Sequence, residues 1–285
     1  MDLEKLDELA DPCRLCPREC GVRRAGGQLG FCKTAATPLV GSVGPHFGEE
    51  DVLVGRGGSG TIFFAGCNLG CRFCQNWSLS HALDGSPFSV EDIAHAMTAL
   101  AGRGCENVNF VTPTHFAPAV ARAIVMGRER GVTAPVVYNC GGYESVEALR
   151  CLEGLVEVYM PDIKTLDPDF AERALLARDY PERVREALRE MHRQVGDMAL
   201  DERGAARRGL LVRHLVMPGQ GEDSRACLEF LREGLSTDTF VNVMGQYRPC
   251  GQADRVPGIC RRPSLEEVGA ARSCAAALGL RLAGA

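Results

Sequence analysis

From residue 61 onward the chain alternates two kinds of hydrophobic spacing. Short β-rich apolar runs are followed by longer stretches with an apolar residue every three or four positions. TIFFAG (61–66) is the first run, and VEDIAHAMTALAGRG (90–104) is the first helical pattern. Ser89 stands at the N-cap of that helix, with Asp92 three residues on in a relative of the capping box. NVNFVTP (107–113) and APAVARAIVMGRERG (117–131) form a second pair, with Gly131 as the stop. APVVYNC (134–140) with SVEALRCLEG (145–154) is the third. VEVYMPDIK (156–164) is followed by an irregular stretch and then PERVREALREMHRQVG (181–196), which opens with Pro in its first turn. GLLVRHLVMP (209–218) with DSRACLEFLREG (223–234), and TFVNVMGQY (239–247) with SLEEVGAARSCAAALG (264–279), complete six units.

Six β-then-α units in succession imply a parallel sheet, because parallel neighbours need helical crossovers. Right-handed crossovers repeated in one direction curl such a sheet into a full or partial barrel. A doubly wound open sheet fits the same alternation. The expected fold class is α/β, a partial (βα)6 barrel. Residues 1–60 are different: they carry four cysteines and many glycines and keep no sustained period. The strand run PLVGSVGPHFGEEDVLVGRGGSG (38–60) leads into the barrel, with no Pro- or Ser-rich linker to mark a hinge. The expected organisation is a cysteine-rich N-terminal module (1–60), ordered by metal and packed on a core domain (61–285).

Composition narrows the function classes. With 37 acidic against 32 basic residues the net charge is −5, and no Lys/Arg run is concentrated, which argues against nucleic acid or an anionic membrane as partner. No stretch reaches the roughly 20 apolar residues of a membrane span. The N-terminal MDLEKLDELADP lacks an apolar signal core, so a cytoplasmic location is expected. Fourteen cysteines are many for an ordinary cytosolic enzyme, and in a reducing compartment clustered thiols point to metal or redox chemistry. Seven are clustered: Cys13, Cys16, Cys20 and Cys32, and then Cys67, Cys71 and Cys74. The other seven read as small interior side chains.

GCNLGCRFCQNW (66–77) sets three cysteines in C-x3-C-x2-C spacing directly after the first strand. Three thiolates on one tight loop can hold three irons of a [4Fe–4S] cube and leave the fourth iron open. Structural zinc would want a fourth protein ligand, and no neighbour offers one. Phe73, just before the third cysteine, would shield the cluster or pack near a nucleobase. The loop leaves the C-terminal end of a strand, where βα barrels assemble their sites.

This spacing, with an aromatic before the last cysteine, resembles the signature of the radical S-adenosylmethionine (SAM) enzymes. The run of CQNW, VTPTHF, YNCGGY, PDIK, RHLVMPG and MGQYRP is similar in its order to the branch related to the pyruvate formate-lyase activating enzyme. The resemblance implies a reduced cluster on Cys67, Cys71 and Cys74 that binds SAM and cleaves it to a 5′-deoxyadenosyl radical. It implies hydrogen abstraction from a protein or peptide, as in activation of a glycyl-radical enzyme, and a flavodoxin- or ferredoxin-type electron donor. Asn76, in the cysteine loop, joins the cofactor-binding candidates on the same ground.

Later strand ends are polar in a way packing does not require. Thr112 and Thr114 lie around Pro113, where related enzymes carry a glycine-rich acidic segment that this chain lacks; their assignment to SAM rests on position alone. His115 could face the site or cap the next helix. Asn139 ends the third strand, followed by Gly141 and Gly142. Asp162 and Lys164 alternate onto one side of the fourth, as a cofactor-binding Asp-x-Lys or a buried structural ion pair. Of Arg213 and His214 in the fifth, one must face inward and one outward; Arg213 is the candidate for a carboxylate. Gln246, Tyr247 and Arg248 follow the sixth.

CRLCPRECGVRRAGGQLGFC (13–32) has C-x2-C-x3-C-x11-C spacing. Cys13, Cys16, Cys20 and Cys32 could close a tetrahedral zinc site or carry a second iron–sulfur cluster, with a structural metal preferred. Arg14, Arg18, Arg23, Arg24 and Lys33 would offset the thiolate charge. The expected function is that of a radical SAM enzyme. Its rivals are radical modification of a small molecule or peptide side chain, and a non-catalytic iron–sulfur or zinc interaction protein.

Overall fold

The computed structural model describes residues 1–283. Its elements in order are α1 (Leu3–Ala10), β1 (Leu39–His46), α2 (Asp51–Val54), β2 (Ser59–Phe64), α3 (Trp77–Ser80), β3 (Ser86–Pro87), α4 (Val90–Gly102), β4 (Asn107–Val111), α5 (Ala117–Glu129), β5 (Val136–Cys140) and α6 (Val146–Cys151). They continue with β6 (Val158–Pro161), α7 (Pro168–Leu175), α8 (Tyr180–Val195), β7 (Ala199–Leu200), β8 (Ala206–Leu215), α9 (Gly221–Gly234), β9 (Phe240–Met244), α10 (Leu265–Ala277) and β10 (Arg281–Leu282). The six βα units stand where the periodicity puts them. Ser89 and Asp92 close the capping box of α4 reciprocally.

Strand order in the sheet is β10-β9-β8-β6-β5-β4-β2-β1-β3. From β2 through β4, β5, β6, β8 and β9 every pairing is parallel and the order never reverses. A doubly wound sheet reverses at its switch point, so the curled alternative is the one realised. Side chains hold the curl. Glu49 and Glu50, just after β1 at one edge, reach the far strands: Asn242 Nδ2 donates to Glu50 Oε1 at 2.9 Å and Arg213 Nη1 to Glu49 Oε2 at 3.4 Å. Below them α2 plugs the barrel, burying Leu53 among Val137, Val158, Met160, Leu211 and Phe240. The alternate residues of the same strands, such as Tyr138, Tyr159 and Val212, pack outward against the helices.

Two departures from the sequence reading matter. The boundary expected at residue 60 falls inside β2, and β1 and α2 belong to the barrel itself. The irregular stretch after 164 holds a helix, α7, whose N-cap Asp167 accepts from Asp169 and Phe170. Its Pro-Asp start and two turns gave too short a period to register. No helix among the described residues is long and apolar enough to cross a membrane.

Candidate active site

The cysteine loop leaves β2 through Gly66, whose φ of 84° favours glycine and whose place against Cys32 O and Thr34 leaves no room for a Cβ. The loop is then tied to the end of α7. Gly70 N donates to Leu175 O at 3.2 Å, Arg72 N to Ala174 O at 2.9 Å and Arg72 Nε to Arg173 O at 3.0 Å. These are the last carbonyls of a helix, which lack intrahelical partners and favour a cation.

Two of the three thiols accept hydrogen bonds. Leu69 N–H donates to Cys67 Sγ at 3.4 Å and Ser80 Oγ to Cys74 Sγ at 3.1 Å. Burial pushes the Cys71 thiol up to about 12 and raises Cys67 also, with the neighbouring thiols adding to the rise and Lys164 opposing it. Ionising them therefore needs positive charge at the site. Three soft donors on one loop, each able to take one iron, fit a [4Fe–4S] cluster. Among the described residues, no three His, Cys, Asp or Glu side chains converge tightly enough to hold a single metal ion.

Beside this loop a cleft of about 230 Å³ gathers Cys71, Phe73, Cys74, Asn76, Asp162, Lys164 and Arg213 from the sequence candidates. Gln75, Leu215, Met244 and Gln246 complete its wall. Larger hollows exist, one of about 490 Å³ beside Cys105, Arg130 and Arg203, but that one holds no opposed buried charges facing a thiol cluster. In the cleft Asp162 is gripped from two sides: Lys164 Nζ lies 2.6 Å from Oδ2 and Arg213 Nε 2.8 Å from Oδ1. Burial works to raise the Asp162 carboxyl, yet Arg213 and Lys164 outweigh it and hold it below its ordinary range. Burial likewise works to lower Lys164, while Asp162 and Cys71 hold it above its usual value. The pair stays charged where desolvation would neutralise an isolated group. Phe73 is buried at the cleft with Tyr247 edge-on behind it, 5.9 Å between centroids, and Tyr247 itself is pinned by its hydroxyl to Ile259 O.

Of the adjacent pair on β8, Arg213 faces in and His214 faces out, where its ring meets Ile163 O and Ser224 Oγ at 2.9 Å each. Asn139 touches the network at one remove: its Oδ1 accepts from Arg213 Nη2 at 2.7 Å. Thr112 and Thr114 do not line the cleft. Thr112 has φ 59°, and the Thr114 hydroxyl donates instead to Glu144 Oε1 at 2.8 Å. Burial pushes that carboxyl up to about 8. His115 is buried behind β2, with Nε2 2.9 Å from Ala65 O. Glu49, Leu215 and Met244 went unnoticed in the sequence. The last two continue the inward alternation through Arg213 and Asn242, a period of two that could have found them.

Cys13, Cys16 and Cys32 are buried, Cys20 is half-buried, and all fourteen cysteines are free. None of these four lines the cleft. Phe31 N–H donates to Cys20 Sγ at 3.3 Å, and Cys32 Sγ lies 3.1 Å from Thr34 Oγ1. Burial pushes Cys16 up to about 12. The basic residues expected to surround these thiols divide: Arg14, Arg23 and Lys33 are exposed, whereas Arg18 and Arg24 bond to backbone carbonyls of the barrel.

A family model for the radical SAM superfamily matches residues 61–231. An uncharacterised protein of Methanocaldococcus jannaschii is 30% identical over 266 residues, 90% of this chain and 72% of the relative. A second uncharacterised protein of that organism is 26% identical over 64% of this chain and 57% of its own length. Among solved structures, Streptococcus suis SuiB bound to S-adenosylmethionine superposes with TM-score 0.53 at 13% identity, over 76% of this chain and 47% of SuiB. Methylornithine synthase (PylB) gives 0.52 at 15%, over 78% of this chain and 63% of its own. This chain thus spans about half of SuiB and under two thirds of PylB, and the likeness to both is one of fold. The superfamily uses a [4Fe–4S] cluster and SAM, which is the chemistry the thiols and buried charges of the cleft suit. This chain belongs to the radical SAM superfamily.

Proposed function

We propose that this chain cleaves SAM reductively and takes a hydrogen atom from a protein or peptide, with a glycyl-radical enzyme as its target. The observation that carries the reading is the cleft in which Cys71 and Cys74 share a wall with the buried Asp162–Lys164–Arg213 network. Cys67, Cys71 and Cys74 would hold the cluster, which when bound and reduced would supply the electron for reductive cleavage of SAM. The chain's own residues do the rest. Lys164 offsets thiolate charge. Asp162 fixes Lys164 and Arg213, leaving guanidinium N–H groups for a carboxylate. Phe73, Leu215 and Met244 give the cleft an apolar wall that excludes water and packs a nucleoside, and Asn76 offers donor and acceptor at its rim.

Support for a peptide or protein target comes from SuiB, which has also been solved bound to its precursor peptide SuiA. Support for the activase reading comes from the Asp-x-Lys at 162–164 and the order of the strand-end motifs. The four-cysteine segment stays a candidate for a structural metal on its spacing alone, because among the described residues no three of these side chains converge tightly enough to hold a single ion. A flavodoxin- or ferredoxin-type donor in the cytoplasm fits fourteen free thiols. The test is anaerobic reconstitution, reduction and assay for 5′-deoxyadenosine. Clustered, reduced protein that makes none, with or without extract of the source cell, overturns the reading. A glycine-centred radical on a co-purifying protein, seen by electron paramagnetic resonance, supports the activase target; a modified small molecule or peptide side chain replaces it.

A further inference from the structure

A cavity of about 370 Å³ lies on the flank of the barrel, lined by the end of α1, the chain around 24–36 and the start of α5. Ala10, Ala25, Ala36 and Ala119 leave the space, with apolar surface added by Val90 and Phe116. Among the described residues five buried side-chain atoms have no hydrogen-bond partner. Three of them, Asp11 Oδ1, Arg24 Nε and His115 Nδ1, belong to residues that line this one cavity. The rest of each side chain is engaged. Asp11 Oδ2 accepts from Ala25 N at 3.2 Å, while Arg23 Nη1 stays 3.7 Å from Oδ1. Arg24 donates from Nη1 to His115 O and from Nη2 to Ala35 O at 2.6 Å and Thr34 Oγ1 at 3.1 Å. His115 Nε2 lies 2.9 Å from the carbonyl oxygen of Ala65, so Nε2 carries the ring proton and Nδ1 is left as an acceptor. Arg24 and His115 are 4% and 2% exposed, too buried for bulk water to serve them.

Buried polar atoms are nearly always paired, and three exceptions around one cavity call for a common partner. What is missing can be counted. Arg24 Nε–H needs one acceptor, while Asp11 Oδ1 and His115 Nδ1 need one donor each. A primary carboxamide brings one carbonyl and two N–H groups, which meets that count. A hydroxyl or a carboxylic acid brings a single donor, and a carboxylate none. Charge points the same way. Asp11 stands against Arg24, and the half-exposed Asp7 pairs with Arg122, so the charged lining residues balance and favour a neutral guest. We propose that this cavity binds a small neutral molecule with an apolar body and a primary carboxamide, the amide meeting Asp11, Arg24 and His115 and the body lying among the alanines. Its volume is that of a small-molecule pocket, and it shares no lining residue with the cleft beside Cys71. The inference goes beyond the proposed function and needs neither cluster nor SAM.

The experiment uses the full chain with benzamide as the probe, and benzoate and toluene as comparators with the same ring. Equilibrium titration by nuclear magnetic resonance is expected to give benzamide a Kd below about 1 mM, with both comparators about tenfold weaker or more. The nitrogen resonance of His115 Nδ1 shifts as benzamide binds, because that atom gains a hydrogen bond. Ala119→Leu, which fills the cavity from α5, weakens benzamide by about tenfold or more. His115→Phe, which keeps a ring and removes the acceptor, weakens it by about fivefold or more. Four results each overturn the proposal: benzamide that does not saturate the protein, toluene that binds as tightly, full affinity in Ala119→Leu, or an unmoved Nδ1 resonance. So does a crystal soaked in benzamide that shows ordered water only on the three atoms. If either variant fails to fold, the comparators and the Nδ1 resonance decide it. SAM is absent from every arm, so failure of the enzyme reading leaves this outcome readable, and the reverse holds.

Discussion

The two groups of cysteines set the same side chain in different surroundings. Cys71 and Cys74 open onto a cleft whose far wall is a buried Lys–Asp–Arg network. Cys13, Cys16, Cys20 and Cys32 sit on the flank of the barrel, where Cys13 is buried in one cluster with Leu6 and Leu9 of α1 and two neighbouring arginines, Arg18 and Arg24, are spent on carbonyls. Buried thiols resist ionisation in both groups; Lys164 opposes the rise at Cys71 from inside the cleft, whereas Arg24, which opposes it at Cys13, is hydrogen-bonded to Thr34 and to backbone carbonyls. A thiolate site that must also admit a charged cofactor needs an open side and a counter-charge. A site that only orders the chain needs closure. Cleft and flank differ in this respect more than in the thiols themselves.

Substitutions test that contrast in order of size. Cys71→Ala is expected to abolish both iron loading and 5′-deoxyadenosine formation, read by iron content and product assay; retained cleavage would remove the cleft from the mechanism. Asp162→Asn leaves Lys164 and Arg213 without their shared carboxylate, and breaking a buried pair costs about 3–5 kcal/mol. Urea midpoints should fall accordingly, and SAM should bind about tenfold or more weakly in equilibrium titration. Cys16→Ala should cost about 3 kcal/mol through loss of metal-dependent order, seen as a lowered melting temperature. Turnover per assembled cluster should survive in part. Complete loss per cluster would erase the distinction between the two groups.

pH gives a smaller effect confined to the flank. Burial holds the His115 imidazole down to about 3 from 6.5, so it is neutral in the fold and charged in the unfolded chain between those values. The unfolded state then binds more protons, and stability rises with pH across that window. The contribution is complete above about pH 6.5 and is lost as pH falls toward 3. Buried Glu144, pushed up to about 8, acts with the opposite sign over the same range, so the His115 contribution is read as a difference. The unfolding free energy of the parent relative to His115→Gln should drop by about 2 kcal/mol between pH 6.5 and 4.5. Smallest, Ser89→Ala in the cap of α4 should cost about 1 kcal/mol while leaving iron content unchanged. A change at either cysteine group would mean that they report global stability rather than their own surroundings.

Much of the barrel was legible because hydrophobic period is a local property. The six βα units, the capping box at Ser89 and the inward-or-outward choice at Arg213 and His214 all follow from spacing within a few residues. Thr112 and Thr114 show the limit. Their place after a strand suggested the site, but the turn at φ 59° carries Thr114 toward Glu144. α7 shows it again. Two turns starting Pro-Asp have little period, yet that helix end fastens Gly70 and Arg72 of the cysteine loop.

What the amino-acid order determined by itself is therefore chemistry and local geometry: three thiols on one loop at a strand end, a sheet that must be parallel, and an Asp and a Lys on one side of a strand. Tertiary structure decided what those groups face. Curling brought Glu49 and Glu50 across to β8 and β9, Arg213 to Asp162, and the cysteine-rich start of the chain against Gly66. Each of these joins residues more than 30 positions apart. Strand order and the turn of the sheet select them, because a hydrophobic period specifies which face is buried and says nothing about which distant face will cover it.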